Sequence, residues 1–382
     1  MKPILLFGAA TFNLAETTRM IEIARACGET FEPHFFGYGG QYVNFIQAVG
    51  FPFRLLQPEM TPEKIDYLYR VDRAEMYGQP FTVAELNQQV TSELGLYQHL
   101  QPAALVMGSV LSASISARVA RLPLVSVVPF PRTRPYLKAG CPAIPDLIAR
   151  LPLRRWTEPV VSWLLNRLLF YVPIATGNFN QVARRFGLPG FPSLLGVWEG
   201  DYNLVADIPS LTRVPHLPVN WRYIGPIYAR LDSPVPPDVE ALLERREKPL
   251  VYFAMGSSAN KDVLVQVLEG FRGLPVQVIA PIRAHLEGSA VDVPENVLVT
   301  GWLPADKVNP RVDLAVIHGG QGTVQTACMA GIPFIGIGMQ PEQDINIEEV
   351  VRFGSAVRIP KRLATPERVR AAVLRLLADE NA

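Results

Sequence analysis

Short apolar runs alternate with amphipathic stretches along most of the chain. Residues 4–7 form an apolar run of strand length, and residues 17–27 after them carry apolar positions at helical spacing. The alternation continues through strand-like runs at 34–36, 103–107 and 124–128, with helix-like patterns at 83–99 and 112–120. Such a succession predicts βαβ units and a parallel sheet. The rhythm breaks between Gly225 and Pro249, where Pro226, Pro234, Pro236 and Pro237 precede a charged helical piece at 240–248. Dense proline with few apolar residues reads as a semi-rigid linker. Beyond it the alternation restarts, with strands expected at 250–254, 276–279, 297–300 and 314–317. Helices are expected at 262–271, 323–330 and 344–353. The pattern therefore predicts two Rossmann-like α/β domains, 1–228 and 250–382, joined by a linker at 229–249. Doubly wound domains bind ligands at the carboxyl ends of their strands.

Composition narrows the function classes. The 382 residues exceed a usual single domain, and 49% hydrophobic with 19% charged residues is enough to build real cores. A net charge of +1 provides no global field to recruit nucleic acid. Cys27, Cys141 and Cys328 have neither CxxC spacing nor an even count, so they suggest no disulfide framework or zinc site and fit a reducing compartment. The N-terminal run is too short for a signal peptide, and no stretch has the unbroken apolar length of a membrane span. The expectation is a cytoplasmic protein.

Candidate chemistry concentrates near residues 301–358. The predicted strand at 314–317 runs into His318-Gly319-Gly320-Gln321-Gly322-Thr323, where a helix begins. Glycines allow a tight turn and a close ligand approach, and the first-turn N–H groups of a helix favour an anion. Thr323 could cap that helix or offer a hydroxyl to phosphate. Alone, such a turn fits simple strand-to-helix packing equally well. Its neighbours are Gly301-Trp302-Leu303-Pro304 upstream, then Ala330-Gly331-Ile332-Pro333 and Gln340-Pro341-Glu342-Gln343-Asp344-Ile345-Asn346 downstream.

This ordered set resembles the donor-binding motif of family 1 glycosyltransferases, the group of plant and bacterial UDP- or dTDP-sugar transferases. The resemblance implies the GT-B fold, two Rossmann-like domains facing across a cleft. It implies that Trp302 stacks on the base with Leu303 beside it, and that His318, Gly320, Gln321, Gly322 and Thr323 hold the diphosphate. Glu342 and Gln343 match the pair that hydrogen-bonds sugar hydroxyls, and Asn346 the asparagine that follows. Ser257 matches a phosphate-contacting hydroxyl, although Ser257 and Ser258 read equally as a helix N-cap. Plant members carry a ribose-gripping Glu where this chain has Thr326, so UDP and dTDP both stay open, with UDP preferred on the family's base rate. No DxD-like metal motif accompanies the constellation. The expected enzyme is metal-independent and needs no cofactor, the nucleotide-sugar being a substrate. Glu342 and Glu349 are one residue too close for the two-glutamate spacing of retaining relatives, which favours inversion. A UDP-sugar epimerase is a minor alternative.

The acceptor side departs from the family. Counting back from Gly28 places Asn13 at the position of the acceptor base, and an Asn side chain accepts hydrogen bonds without taking a proton at neutral pH. Three readings follow: an acceptor that is already anionic, another base such as Glu16, Asp72 or His99, or a catalytically silent nucleotide-sugar-binding protein. Arg132, Arg134 and Lys138 could face an anionic acceptor. Residues 150–170 place Arg150, Arg154 and Arg155 ahead of an aromatic-aliphatic stretch containing Trp156 and Trp163. This reads either as a core or lid helix with solvated arginines or as a peripheral membrane contact, and the family resemblance implies that the same region walls a lipophilic acceptor pocket.

Overall fold

The computed structural model describes residues 2–72, 78–139, 160, 161, 163, 164, 167, 176–212, 214, 216–229, 233–256 and 259–378. The described residues up to 139, and from 163 to 229, fall in one unit; those from 233 onward fall in another.

The N-terminal unit is built on β1 (Ile4–Gly8), β2 (Glu32–Gly37), β3 (Phe53–Leu55), β4 (Ala104–Met107), β5 (Leu124–Val128), β6 (Tyr202–Val205) and β7 (Trp221–Tyr223). They lie in the order β3-β2-β1-β4-β5-β6-β7, and every pairing is parallel. The strands expected near 4–7, 34–36, 103–107 and 124–128 are all present. Leu6, Phe7, Phe35, Leu105 and Val127 are buried in the middle of the sheet, which is why those runs are continuously apolar. Helix α1 (Leu14–Cys27) starts earlier than the apolar pattern suggests, because the Asn13 side chain caps it by accepting the Glu16 N–H at 3.2 Å. Helix α2 (Val83–Leu100) opens on a capping box formed by Thr82 and Glu85, and packs with α3 (Ala113–Ala120) on the sheet. Within that layer the fully buried Glu93 accepts hydrogen bonds from the hydroxyls of Tyr38, Ser112 and Ser116. Burial pushes its carboxyl up to about 7 in spite of those three donors.

The C-terminal unit repeats the plan with β8 (Leu250–Ala254), β9 (Gln277–Ala280), β10 (Val297–Val299), β11 (Leu314–Ile317), β12 (Phe334–Gly336) and β13 (Ala356–Arg358). Their order is β10-β9-β8-β11-β12-β13, again with parallel pairings. Helix α4 (Pro237–Arg245) occupies part of the proline-rich segment. It buries Val239 and Leu243, and Glu240 pairs with Arg311 of the same unit at 2.7 Å. Next come α5 (Lys261–Phe271), α6 (Gln321–Ala330), α7 (Pro341–Phe353) and α8 (Pro366–Ala378). The core joins Val251, Phe253 and Val316 of the sheet to Val267 and Phe271 of α5 and Val369 and Val373 of α8. α8 lies so close to α5 that a Cβ on Gly270 would stand 2.8 Å from Val369 Cβ.

Counted within its own sheet, each unit has the Rossmann order 3-2-1-4-5-6, with β7 added at the edge of the first. The order reverses beside the first strand of each sheet, between β1 and β4 and between β8 and β11. A crevice outside the carboxyl ends of those strand pairs is where such sheets bind ligands.

Candidate functional site

At the second reversal point Ala254 of β8 pairs with Ile317 of β11, and the chains continue into Met255-Gly256 and His318-Gly319-Gly320. The His318 ring fills the space between the two turns. A Cβ on Gly256 would lie 2.5 Å from its Cε1, and one on Gly320 would lie 2.5 Å from its Nε2. These two glycines thus make room for an imidazole, and Gly256 also needs its positive φ of 57°. Burial drives the His318 pKa down to about 4, so the ring is neutral at physiological pH. The Nδ1 is 3.5 Å from the Ala254 carbonyl, a long contact. A neutral ring protonated at Nε2 can donate to a phosphate oxygen without carrying a buried charge.

Helix α6 begins directly after this turn, with Gly320 as its N-cap, earlier than the expected start at 323. The N–H groups in the first turn of a helix have no partner within it, and with the helix dipole they form an anion cradle. Gly319 reaches the cradle at φ 82°, and a Cβ there would collide with Ile347 of α7. Thr323 does not cap the helix: its hydroxyl donates to the Gly320 carbonyl at 2.8 Å and would have to rotate to meet a phosphate. Gln321 is buried and Gly322 exposed in the same turn.

The other donor-side residues of this unit fall into two groups. Trp302 is 50% exposed, while Leu303 next to it is buried in the core at 2%. An exposed indole offers a face for stacking that a core tryptophan would not have. Glu342 and Gln343 lie in the first turn of α7, Glu342 partly exposed and Gln343 buried. Gln343 is anchored to its own loop: Oε1 accepts the Met339 N–H at 2.8 Å and Nε2 donates to Gln340 Oε1 at 3.0 Å. Asn346, one turn on, donates to the Gly319 carbonyl at 3.1 Å and so braces the cradle from α7. Ser257 and Ser258 lie outside the described residues. Three contributors were not evident from the sequence: Gly256, Ile347 and Arg358, which pairs with Asp344 at 3.0 Å. The only available signals were a glycine after β8 and a charge inside an otherwise buried strand-and-helix pair.

On the acceptor side, Asn13 acts as the α1 cap described above. Glu16 is buried, and its carboxylate accepts from both the N–H and, at 3.0 Å, the hydroxyl of Ser109, tying α1 to the loop after β4. Asp72 ends a helix at Pro62–Asp72, and nothing is described of its side chain. His99 is exposed in the last turn of α2, next to the amino end of β4 and on the edge opposite the reversal point, so it drops out as a substitute base. Arg134 is engaged by Glu199 through two bonds of 2.7 and 3.0 Å, and this ion pair occupies the charge expected to face an anionic acceptor. Among the described residues no group of His, Cys, Asp and Glu is placed to hold a metal ion, and no helix is long and apolar enough to cross a membrane.

Two parallel sheets of Rossmann order, one of them with a glycine-lined strand-to-helix turn after its fourth strand, are the architecture of two-domain GT-B proteins. Residues 266–382 match the family described as "Erythromycin biosynthesis protein CIII-like, C-terminal domain". A PGL/p-HBAD biosynthesis glycosyltransferase of Mycobacterium tuberculosis is 28% identical, covering 98% of this chain and 85% of that protein. A PGL/p-HBAD biosynthesis rhamnosyltransferase of Mycobacterium bovis is 29% identical, with 98% and 80% covered. Among solved structures, a spinosyn rhamnosyltransferase complexed with thymidine diphosphate shares the fold. Its TM-score is 0.66 at 16% identity, over 99% of this chain and 92% of that one. These likenesses and the two sheets support a family 1 glycosyltransferase of the GT-B fold, and with it a nucleotide-sugar-dependent enzyme.

Proposed function

We infer that the protein is an inverting hexosyltransferase that moves a sugar from a nucleoside diphosphate to a hydroxyl of a small or lipophilic acceptor. The observation that carries this reading is the neutral His318 wedged between Gly256 and Gly320 at the amino end of α6. A leaving diphosphate seated there gains stabilisation from the helix amides, and from His318 in the tautomer that carries its proton on Nε2 instead of on the Nδ1 that faces the Ala254 carbonyl. Trp302 supplies the stacking face for the base, with Leu303 beneath it, while Ser257 and Thr323 add hydroxyls at the phosphates. Glu342 and Gln343 take the sugar hydroxyls, and Asn346 holds the cradle in shape. The acceptor oxygen attacks the anomeric carbon as the bond to the diphosphate breaks, its proton passing to water or to the departing diphosphate, and the configuration inverts. We read the charge stabilisation as coming from protein donors, so EDTA should leave the rate unchanged. A reduced, cytoplasmic setting fits the unpatterned cysteines.

Both nucleotides belong to the reading, and one observation favours dTDP over the UDP expected from the sequence. Threonine at position 326 offers no carboxylate to a ribose diol, and its hydroxyl is already bound to the Gly322 carbonyl at 2.7 Å. The spinosyn enzyme that shares this fold carries thymidine diphosphate. Asn13 supports the rival reading of a silent nucleotide-sugar-binding protein, because its side chain is spent on capping α1. Calorimetric titration with UDP and dTDP, combined with transfer and donor-hydrolysis assays over hydroxyl, carboxylate and phosphate acceptors, separates the two. Tight nucleotide binding without transfer or hydrolysis would establish the rival; no binding at all would remove both.

A peripheral membrane contact through residues 150–170 is part of the proposal for a lipophilic acceptor. Most of that stretch lies outside the described residues. Val160, Trp163 and Leu164 are exposed, and the Arg167 guanidinium sits 5.1 Å over the Trp163 ring. Sedimentation with anionic liposomes at low salt tests it, and no binding there would end it.

A further inference from the structure

Asp344 and Arg358 form an ion pair that the chemistry of transfer has not used. Arg358 ends β13 and Asp344 sits in the first turn of α7, with Nε 3.0 Å from Oδ1 and side chains only 4% and 7% exposed. Glu348, one turn further along α7, reaches the same guanidinium at 3.7 Å. The chain folds tightly over the pair: a Cβ on Gly338 would lie 2.4 Å from Asp344 Oδ1. Lys361 pins the same loop by donating to the Met339 carbonyl at 3.0 Å.

A buried ion pair is a poor source of stability, since desolvation offsets most of the attraction and an apolar pair of similar volume does as well. What it supplies is direction. The charge-assisted bond from Arg358 Nε holds Asp344 Oδ1 at a fixed distance, and the Gly338 backbone closes over the same oxygen, so the carboxylate has little room to move. Asp344 directly follows Glu342 and Gln343, and Asn346 of the same helix holds the Gly319 carbonyl. Fixing Asp344 therefore sets the register of the turn that presents position 342, while Asn346 reaches the cradle through a bond of its own.

We propose that Arg358 and Asp344 are positioning residues for the donor sugar, holding the first turn of α7 so that Glu342 and Gln343 meet the sugar hydroxyls. This rests on the reading of those two residues as the sugar contacts. The pair acts on the sugar end of the donor, while the nucleotide end is held by Trp302 and α6. Its loss should therefore weaken binding of an intact nucleotide-sugar far more than binding of the nucleoside diphosphate alone.

The test compares dissociation constants for dTDP and UDP with those for dTDP-glucose and UDP-glucose, in the wild type, Arg358→Lys, Asp344→Asn and the apolar double variant Asp344→Leu/Arg358→Met. In the single variants we expect the nucleotide-sugar to lose about tenfold or more while the nucleoside diphosphate changes less than about threefold. The double variant should recover the melting temperature without recovering sugar affinity, and KM for the donor should rise more than kcat falls. Equal losses for both ligands, or a double variant that regains sugar affinity along with stability, would overturn the proposal and leave the pair a structural brace. A wild type that binds neither nucleoside diphosphate sinks the donor-site reading itself, and this proposal with it.

Discussion

Gly320 stands so close to His318 that any side chain at position 320 would displace the imidazole: the added Cβ would lie 2.5 Å from Nε2. The backbone at Gly320 has φ −58°, which every residue tolerates, so the demand for glycine there is steric and is set by His318. Gly320→Ala is expected to weaken nucleoside diphosphate binding by about tenfold or more, at an overpacking cost of roughly 1–3 kcal/mol in stability. Calorimetric titration and denaturant unfolding of the same variant check the two effects. Unchanged affinity would mean that His318 is not part of the phosphate site.

The neutral His318 also makes binding sensitive to protons. Its pKa near 4 reflects burial, and an incoming diphosphate adds negative charge that favours the protonated ring. Nucleoside diphosphate binding near pH 5 should therefore take up protons, and binding at pH 8 should not. Titrations in buffers of different ionisation enthalpy read this directly. His318→Gln, which keeps a donor but cannot titrate, should abolish the uptake.

Asn13 separates a cap from a base. Asn13→Ala removes the acceptor for the Glu16 N–H and should cost about 1 kcal/mol, read as a lowered unfolding midpoint. Asn13→Asp keeps the cap, because a carboxylate oxygen accepts the same N–H, and adds a group able to take a proton. Stability should hold, and transfer to hydroxyl acceptors should rise. A rate unchanged in both variants would show that position 13 lies outside the reaction.

Thr326 offers a test of nucleotide choice. Its hydroxyl is bound to the Gly322 carbonyl, and Thr326→Glu would place a carboxylate there instead. A charged acceptor gains about 1.5–3 kcal/mol per hydrogen bond. UDP offers it two ribose hydroxyls and dTDP one. The ratio of UDP to dTDP affinity should move toward UDP by about tenfold. A ratio that stays put would mean that position 326 does not face the sugar ring.

The sequence was most legible where burial is symmetrical. Leu250–Ala254 and Leu314–Ile317 are buried at every residue, so their apolar runs are unbroken and their limits were readable to the residue. Tyr202–Val205, Trp221–Tyr223 and Ala356–Arg358 went unmarked because each is three or four residues long and none is buried throughout. In the candidate site, the run from His318 to Thr323 was legible because glycines in a strand-to-helix turn carry a conformational meaning. The partnership of Asp344 with Arg358 was not, since it links residues 14 apart through a strand edge, and no spacing rule announces that. Asn13 was legible as a departure, but only the structure shows that its oxygen is spent on the first turn of α1.

Glu93, enclosed by three hydroxyls under α3, responds to pH in the sense opposite to His318. Its raised pKa means that the folded state keeps a proton the unfolded chain gives up. Its contribution to stability is full below about pH 4.5 and is lost as pH rises through about 7. The His318 contribution is full above about pH 6.5 and is lost as pH falls through about 4. Each shift corresponds to about 3 kcal/mol at most. Raising pH from 5 to 8 should thus lower the melting transition of the N-terminal unit and raise that of the C-terminal one, and Glu93→Gln should flatten the first trend in scanning calorimetry. The choice of buffer then decides which half a thermal-shift screen listens to. Raising the pH weakens the unit that holds no donor, while a tightly bound nucleotide-sugar would strengthen only the other, so the two effects would appear in different halves of the thermogram.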